Sequence, residues 1–430
     1  MMPAMEPALG CWLPRKQVQI LKHFKRLRPL LSRLHDVGCQ RDKAGNRELH
    51  MDDYCALVIL YLLNPLLNGL RTLQQATQWP QVTKVLEIKR FSLGSFSESV
   101  QVFEPERMKA IIQELAGELP SLHKDPRLAE LKHLITLVDG TVLEGLNRLA
   151  SAACAETRYS TSQDGHAIHG WRLHLQLDLE TFAPCQTTLT GARNAGANRE
   201  PAVLRRNLEP GRCYVGDGLY SDRAALDDIV AHSSSYVMRL REDGAFKVLE
   251  ERLLSQEALD ANVVRDALVR LGGEGAEAMN PPTRLIVVQV RPQPRRTRKV
   301  AGKVRGTRQS ELIVLVTNLL DLPAELVALI YRYRYTVELF FRFFKQLLGM
   351  RHLLSQRPKG VEIQIYCAVI ACMLIQLETG KKPGKLMVNM LAWYFMGVAS
   401  EQDVIDFLNR PDNTGVKLRA KDELRKKLGY

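Results

Sequence analysis

A largely apolar segment between residues 331 and 348 carries a sparse set of polar groups, and their spacing constrains this chain more than any other feature. Tyr331, Arg334 and Lys345 stand at −7, −4 and +7 from Glu338. At about 100° per residue, these offsets put all four on one narrow stripe of a helix. Leu339, Phe340, Phe341, Phe343, Phe344, Leu347 and Leu348 fill the other faces. A helix apolar nearly all round is a buried helix. A buried carboxylate set among two cations and a phenol then needs something that pairs with it. A site for a metal ion and a phosphate meets that need. So does a plainer arrangement, an amphipathic helix whose charged face meets solvent, and the helix alone does not separate the two.

Two upstream acids bear on that choice. The run HLITLV at 133–138 reads as a buried strand ending in Asp139-Gly140. The run RCYVG at 212–216 reads as a second strand ending in Asp217-Gly218. Singly, each Asp-Gly is a turn signal. Together, two carboxylates at strand ends and one on a helix form a donor set for two magnesium ions, which prefer oxygen ligands. A two-metal site clamps the attacking and leaving oxygens of an in-line phosphoryl displacement.

Composition narrows the class. A chain of 430 residues that is 46% hydrophobic and 25% charged is an ordinary globular protein with a large core, of roughly two or three domains. A formal net charge of +13 favours a polyanionic partner without choosing among DNA, RNA and an acidic membrane. The eight cysteines form no C-x-x-C pair, so a zinc ribbon or a dithiol redox centre is not expected. No secretory signal opens the chain, and reduced thiols in a cytoplasm are the simplest reading. The longest apolar stretches, 56–70 and 363–377, are short for a membrane span and contain Asn, Pro or Gln.

Along the chain, residues 1–125 lack convincing strands. Helices are expected over 17–34, with Lys22, Lys25, Arg26, Arg28 and Arg33 exposed, and over 52–63 and 106–115. This basic helical region suits DNA binding, or serves as a plain cap on the core. Residues 126–360 alternate strand and helix. Strands are expected over 131–138, 171–180, 185–190, 212–216, 236–240 and 311–318, with helices over 200–208 and 224–231. In 171–180, Trp171 and the leucines alternate with Arg172, His174, Gln176 and Asp178, the pattern of a half-buried antiparallel strand. Residues 242–310 break the rhythm with one clear strand at 284–291 and a basic loop at 295–308, and read as an insertion. The loop suits phosphate contact, or is simply a solvated charged loop. Residues 361–430 are again helical, with a charged tail. The fold class is α/β with a mixed sheet.

The run Tyr331-x2-Arg334-x3-Glu338-x6-Lys345 resembles, without a gap, the Y-R-E-K signature of bacterial insertion-sequence transposases, the insertion-sequence-4-like group of DDE enzymes. LVDGT around Asp139 and VGDGLYSD around Asp217 look like that family too, and the resemblance covers roughly 130–380. It implies a ribonuclease-H-like catalytic core with a β-rich insertion. It also implies Asp139, Asp217 and Glu338 as catalytic ligands of two Mg2+ ions, with Mn2+ as a substitute, and Tyr331, Arg334 and Lys345 as contacts to DNA phosphates. The partners implied are double-stranded DNA, as terminal inverted repeats and as target, and a second copy of the chain in the synaptic complex. No membrane is involved, and the location implied is the bacterial cytoplasm at the nucleoid. Two departures stand out. Gly218 follows Asp217 where relatives often carry a basic residue. None of Trp12, Trp79, Trp171 and Trp393 lies in the insertion, which counts against a Trp-based hairpin step. His174 is expected to be structural, Glu144 and Asp222 to serve turns or caps, and His166 and His169 to form no metal spacing. A nuclease that cuts without joining needs the same three acids. A DNA-binding relic would be favoured by the loss of one of them, and all three are present.

Overall fold

The structure is a computed structural model that describes residues 27–41, 46–122, 125–143, 158–161, 167–241, 244–272, 282–290, 311–349, 352–355, 357–382, 384–396 and 398–409. Its frame is a nine-stranded mixed sheet in the order β5-β4-β1-β6-β7-β11-β10-β9-β8. In chain order these strands are β1 (Leu134–Leu143), β4 (Trp171–Asp178), β5 (Pro184–Gly191), β6 (Arg212–Gly216), β7 (Ser235–Arg239), β8 (Phe246–Glu251), β9 (Val263–Leu271), β10 (Thr283–Val290) and β11 (Glu311–Thr317). A separate hairpin pairs β2 (Arg158–Thr161) with β3 (Ala167–His169). β1, β6 and β7 are parallel neighbours, and the other pairs are antiparallel.

Helices cover both faces, which is why the central strands are almost continuously apolar. On one face Val138, Tyr214, Met238 and Leu285 pack with Leu204 of α6 (Glu200–Arg205) and with Leu226 and Ile229 of α7 (Arg223–Ala231). The other face is larger. There Leu137, Leu175, Val215, Val237 and Leu315 share a core with five helices: α1 (Met51–Leu63), α5 (Met108–Glu118), α9 (Ala324–Arg332), α10 (Tyr335–Gly349) and α11 (Pro358–Thr379). Three short helices, α2 (Leu70–Ala76), α3 (Pro80–Leu86) and α4 (Leu93–Ser99), lie between α1 and α5, and α8 (Gln256–Asp260) precedes β9. After α11 come α12 (Lys385–Phe395) and α13 (Glu401–Asn409).

Several expectations need correction. The stripe from Tyr331 to Lys345 does not lie on one helix. Tyr331 lies in the last turn of α9, and a tight turn separates it from α10, with Thr336 N–H bonded to Tyr333 C=O and Val337 N–H to Arg334 C=O. The string Tyr-Arg-Tyr-Arg-Tyr-Thr-Val is poor in strong helix formers, and the Tyr333 hydroxyl is drawn away to Asp125 at 2.5 Å. Nor is α10 buried all round, since Tyr335 and Leu339 stand exposed. β1 does not stop before Asp139; it runs on through Gly140 because β4 continues to pair with it. β4 is buried on both faces, His174 and Gln176 included, because α6 covers the side expected to meet water.

The insertion contributes β8, β9 and β10 to the core sheet; two of these strands were obscured by charged residues. Its basic loop, most of the 17–34 segment, Glu144 and His166 lie outside the described residues. The 363–377 stretch belongs to a helix longer than expected. By length and composition Pro358–Leu377 could cross a bilayer, yet most of it is buried in the protein. Its polar side chains serve internal bonds: Gln364 accepts from Leu354 N–H and donates to His352 C=O, and Gln376 donates to Thr181 C=O.

Candidate active site

Parallel pairing of β1 with β6 sets Leu137 opposite Val215. Two residues further along, Asp139 and Asp217 therefore come up side by side at the carboxyl end of β6, the position where open α/β sheets bind ligands. The Asp139 carboxylate accepts from Gly140 N–H at 2.8 Å. Asp217 caps a single 3-10 turn, accepting from Leu219 N–H at 2.9 Å. Glu338 comes from the first turn of α10, which packs on β1. Arg334 lies between these groups. Its guanidinium donates to Glu338 at 2.5 Å and stands 3.9 Å from Asp139. Half-buried Tyr331 sits against Arg334, with Asp217 and Arg239 in its field. Lys345 is exposed, two turns along α10 from Glu338. The break between α9 and α10 thus preserves the gathering of Tyr331, Arg334 and Glu338 that the spacing implied, through a bend rather than through one helix.

The electrostatics at Asp139 set burial and carboxylate repulsion against the guanidinium of Arg334. Burial raises the Asp139 carboxyl to about 6; the Gly140 amide and Arg334 oppose the rise, while Asp217 and Glu338 add repulsion. Tyr331 is also raised, mainly by burial. Among the described residues, no three carboxylate, imidazole or thiol groups are drawn tightly enough together to form a closed metal cage. Asp139 and Glu338 beside Arg334 nonetheless offer carboxylate oxygens, with Asp217 next to Asp139, the donor type that suits a hard divalent cation.

Residues 130–374 match the family model described as the transposase DDE domain, more than half of the chain. The chain belongs to the DDE-domain transposases. Its function is DNA transposition, and its enzymatic class is the DNA-cleaving and strand-transferring transposase. Similar proteins include one from Sinorhizobium fredii named as a transposase, y4zB, 25% identical over 274 residues, 63% of this chain and 68% of that one. The transposase for insertion sequence element IS421 of Escherichia coli is 25% identical over 302 residues, 60% of this chain and 80% of that one. Among solved structures, the piggyBac transposase synaptic complex with hairpin DNA aligns with a TM-score of 0.40 at 11% identity, over 93% of this chain and 84% of that chain. Transposases of this family use divalent metal ions.

One group in this transposase escaped the sequence reading. Glu200, at the start of α6, is buried beside Asp139 and Asp217, and burial pushes its carboxyl up to about 7 against the pull of Arg172. Tyr220, raised by its own burial, lies within the field of Glu200, Asp139, Asp217 and Arg172. In sequence, Arg199-Glu200-Pro201 is an ordinary helix start with an acid in the first turn. Only the register of β4 against β1 brings Arg172 to it. His174 is structural: it bonds Thr190 at 2.9 Å, and burial, with help from Arg172 and Arg206, lowers it to about 3. Asp222 caps α7, as expected.

Proposed function

We propose that this transposase is a cut-and-paste enzyme of the insertion-sequence-4-like, Y-R-E-K group, built on a ribonuclease-H-like core. Asp139, Asp217 and Glu338 serve as ligands for two Mg2+ ions, which Mn2+ can replace. The observation that carries the reading is the pairing of one guanidinium, Arg334, with both Asp139 of β1 and Glu338 of α10, while the β1–β6 register brings Asp217 up beside Asp139. Bound metal supplies the activation of a water for nicking and of a DNA 3′-hydroxyl for joining. The residues of this chain do the rest. Asp139, paired within β1, and Asp217, just beyond β6, are held side by side by the sheet, so little reorganisation is needed when charge builds up. Arg334, released from the acids once they are otherwise neutralised, turns to a phosphate with its bidentate fork. Tyr331 donates a hydrogen bond to a phosphate oxygen, and exposed Lys345 extends the contact along the strand.

The substrate is double-stranded DNA, first the element's terminal inverted repeats and then the target, bound by a homodimer in the cytoplasm at the nucleoid. Residues 1–125 contribute DNA binding, residues 126–360 the chemistry with its insertion at about 242–310, and residues 361–430 a helical closing region. The experiment is cleavage of a duplex bearing the terminal repeat in Mg2+, with a supercoiled plasmid as target. Joined products are expected. Nicked ends that never join would replace this reading with a nuclease. DNA binding with no cleavage would replace it with a relic.

A further inference from the structure

On the side of β1 opposite Asp139, a buried carboxylate fills the space that a side chain at residue 140 would need. A Cβ built on Gly140 would lie 2.8 Å from Glu200 Oε1 and 3.2 Å from its carboxyl carbon. Gly140 is an extended strand residue, so its lack of a side chain serves this close approach rather than a turn. The same Glu200 oxygen accepts from Arg172 Nη1. Arg172 belongs to β4, paired to β1 only two residues beyond, where it faces Val142. The ion pair is enclosed, with Glu200 2% and Arg172 15% exposed. The other Glu200 oxygen is buried without a protein partner, as are His174 Nδ1 and Gln176 Oε1, and these three side chains line one small polar cavity behind the strand. A buried ion pair of this kind is weak evidence for stability, because desolvation offsets much of its attraction. What it does here is geometric. One carboxylate ties α6, the end of β4 and the backbone of β1 together at the residue after Asp139.

We infer that Glu200 is a positioning residue of the metal centre: by seating on Gly140 and holding Arg172, it fixes the height of Asp139 within β1 and keeps the Arg172 charge off the acids. This rests on the reading of Asp139 as a metal ligand. Removing the Glu200 charge frees the neighbouring Arg172 guanidinium to compete with the cation and lets the strand end shift. Metal affinity falls, while the DNA contacts proposed for Tyr331, Arg334 and Lys345 on the α9–α10 side are kept.

The test is Mn2+ binding by the full-length chain on terminal-repeat duplex, read from the electron paramagnetic resonance of free Mn2+, for wild type, Glu200→Gln, Glu200→Asp, Arg172→Gln with Glu200→Gln, and Asp139→Ala. Melting curves confirm that each is folded at the working temperature. The expected result is about a tenfold weaker Mn2+ affinity for Glu200→Gln at unchanged DNA affinity. Glu200→Asp should recover part of it, and the double substitution should bind more tightly than the single one, because the stranded cation is gone. Wild-type affinity in Glu200→Gln, with affinity lost in Asp139→Ala, overturns this inference alone. Wild-type affinity in Asp139→Ala overturns the metal reading beneath it. If Glu200→Gln does not fold, Gly140→Ala takes its place, since its methyl group displaces the same carboxylate. Folded Gly140→Ala with wild-type Mn2+ affinity also overturns the inference.

Discussion

Burial and two neighbouring carboxylates hold Asp139 at about 6 in the fold, against about 3.9 in an unfolded chain. The folded value is the higher one, so ionising Asp139 costs the fold stability. That cost is absent below about pH 4, grows as the pH rises towards 6 and is complete above it. The gap corresponds to about 3 kcal/mol at most, and relaxation of the site reduces it. Asp139→Asn should therefore stabilise the metal-free protein by about 1–2 kcal/mol at pH 7.5 and by almost nothing at pH 4. Chemical melts in EDTA across that range check both values. Added Mg2+ should cancel the advantage, because the cation neutralises the charge that burial penalises. At limiting Mg2+ the cleavage rate should rise through about pH 6, and saturating Mg2+ should move that rise to lower pH. The nearness of Asp139, Asp217 and Glu338 was legible in the sequence, since Asp139 and Asp217 each follow an apolar strand run and Glu338 lies on a strongly patterned segment. Glu200 was not, because its meaning depends on which strand lies beside β1.

At the level of elements, the placement of Glu338 depends on how α9 and α10 are launched. A buried ion pair in the insertion does this. Arg284 on β10 makes two bonds to Asp266 on β9, at 2.9 and 2.7 Å. Its remaining donors reach the carbonyls of Leu319, Leu320 and Leu322 in the loop that leads into α9. Arg252 adds a bond to Leu320 C=O at 2.6 Å. Arg284→Met leaves the Asp266 carboxylate buried and unpaired, and should cost about 3–5 kcal/mol in urea unfolding. Arg265→Ala, which breaks an exposed pair with Glu251, should cost less than about 1 kcal/mol. Equal effects would deny the loop clamp. The element order was mostly readable: β6 occupies the expected 212–216, and β5, β7, α7 and β11 lie within a residue or two of expectation. The misses share a cause. Local pattern does not report which face a distant helix will cover, so β4 read as half-buried. Charges interleaved in FKVLEE and VVRDALVRL masked two strands that are held in place by their neighbours.

One principal core joins the helices that precede the sheet, α1 and α5, to α11, which follows it. α1 and α5 pack on α11, and Tyr61 donates to His352 C=O at 3.2 Å. A chain begun at residue 126 would leave the apolar surface of α11 bare, and should aggregate on expression, whereas the full chain should stay dispersed in sedimentation. A soluble, compact fragment would show instead that the helical region is separable. With a net charge of +13, affinity for end DNA should fall steeply, as a power of salt concentration.

The most direct measurement is single-turnover cleavage of terminal-repeat DNA in Mg2+ by wild type and Glu338→Ala, alongside their binding to the same duplex. The account predicts that the substitution removes cleavage by about a thousandfold or more while DNA affinity stays within about threefold, because the proposed role of Glu338 is to hold the cation and not the phosphates. Cleavage that survives in Glu338→Ala would contradict the assignment of Asp139, Asp217 and Glu338 as one catalytic centre.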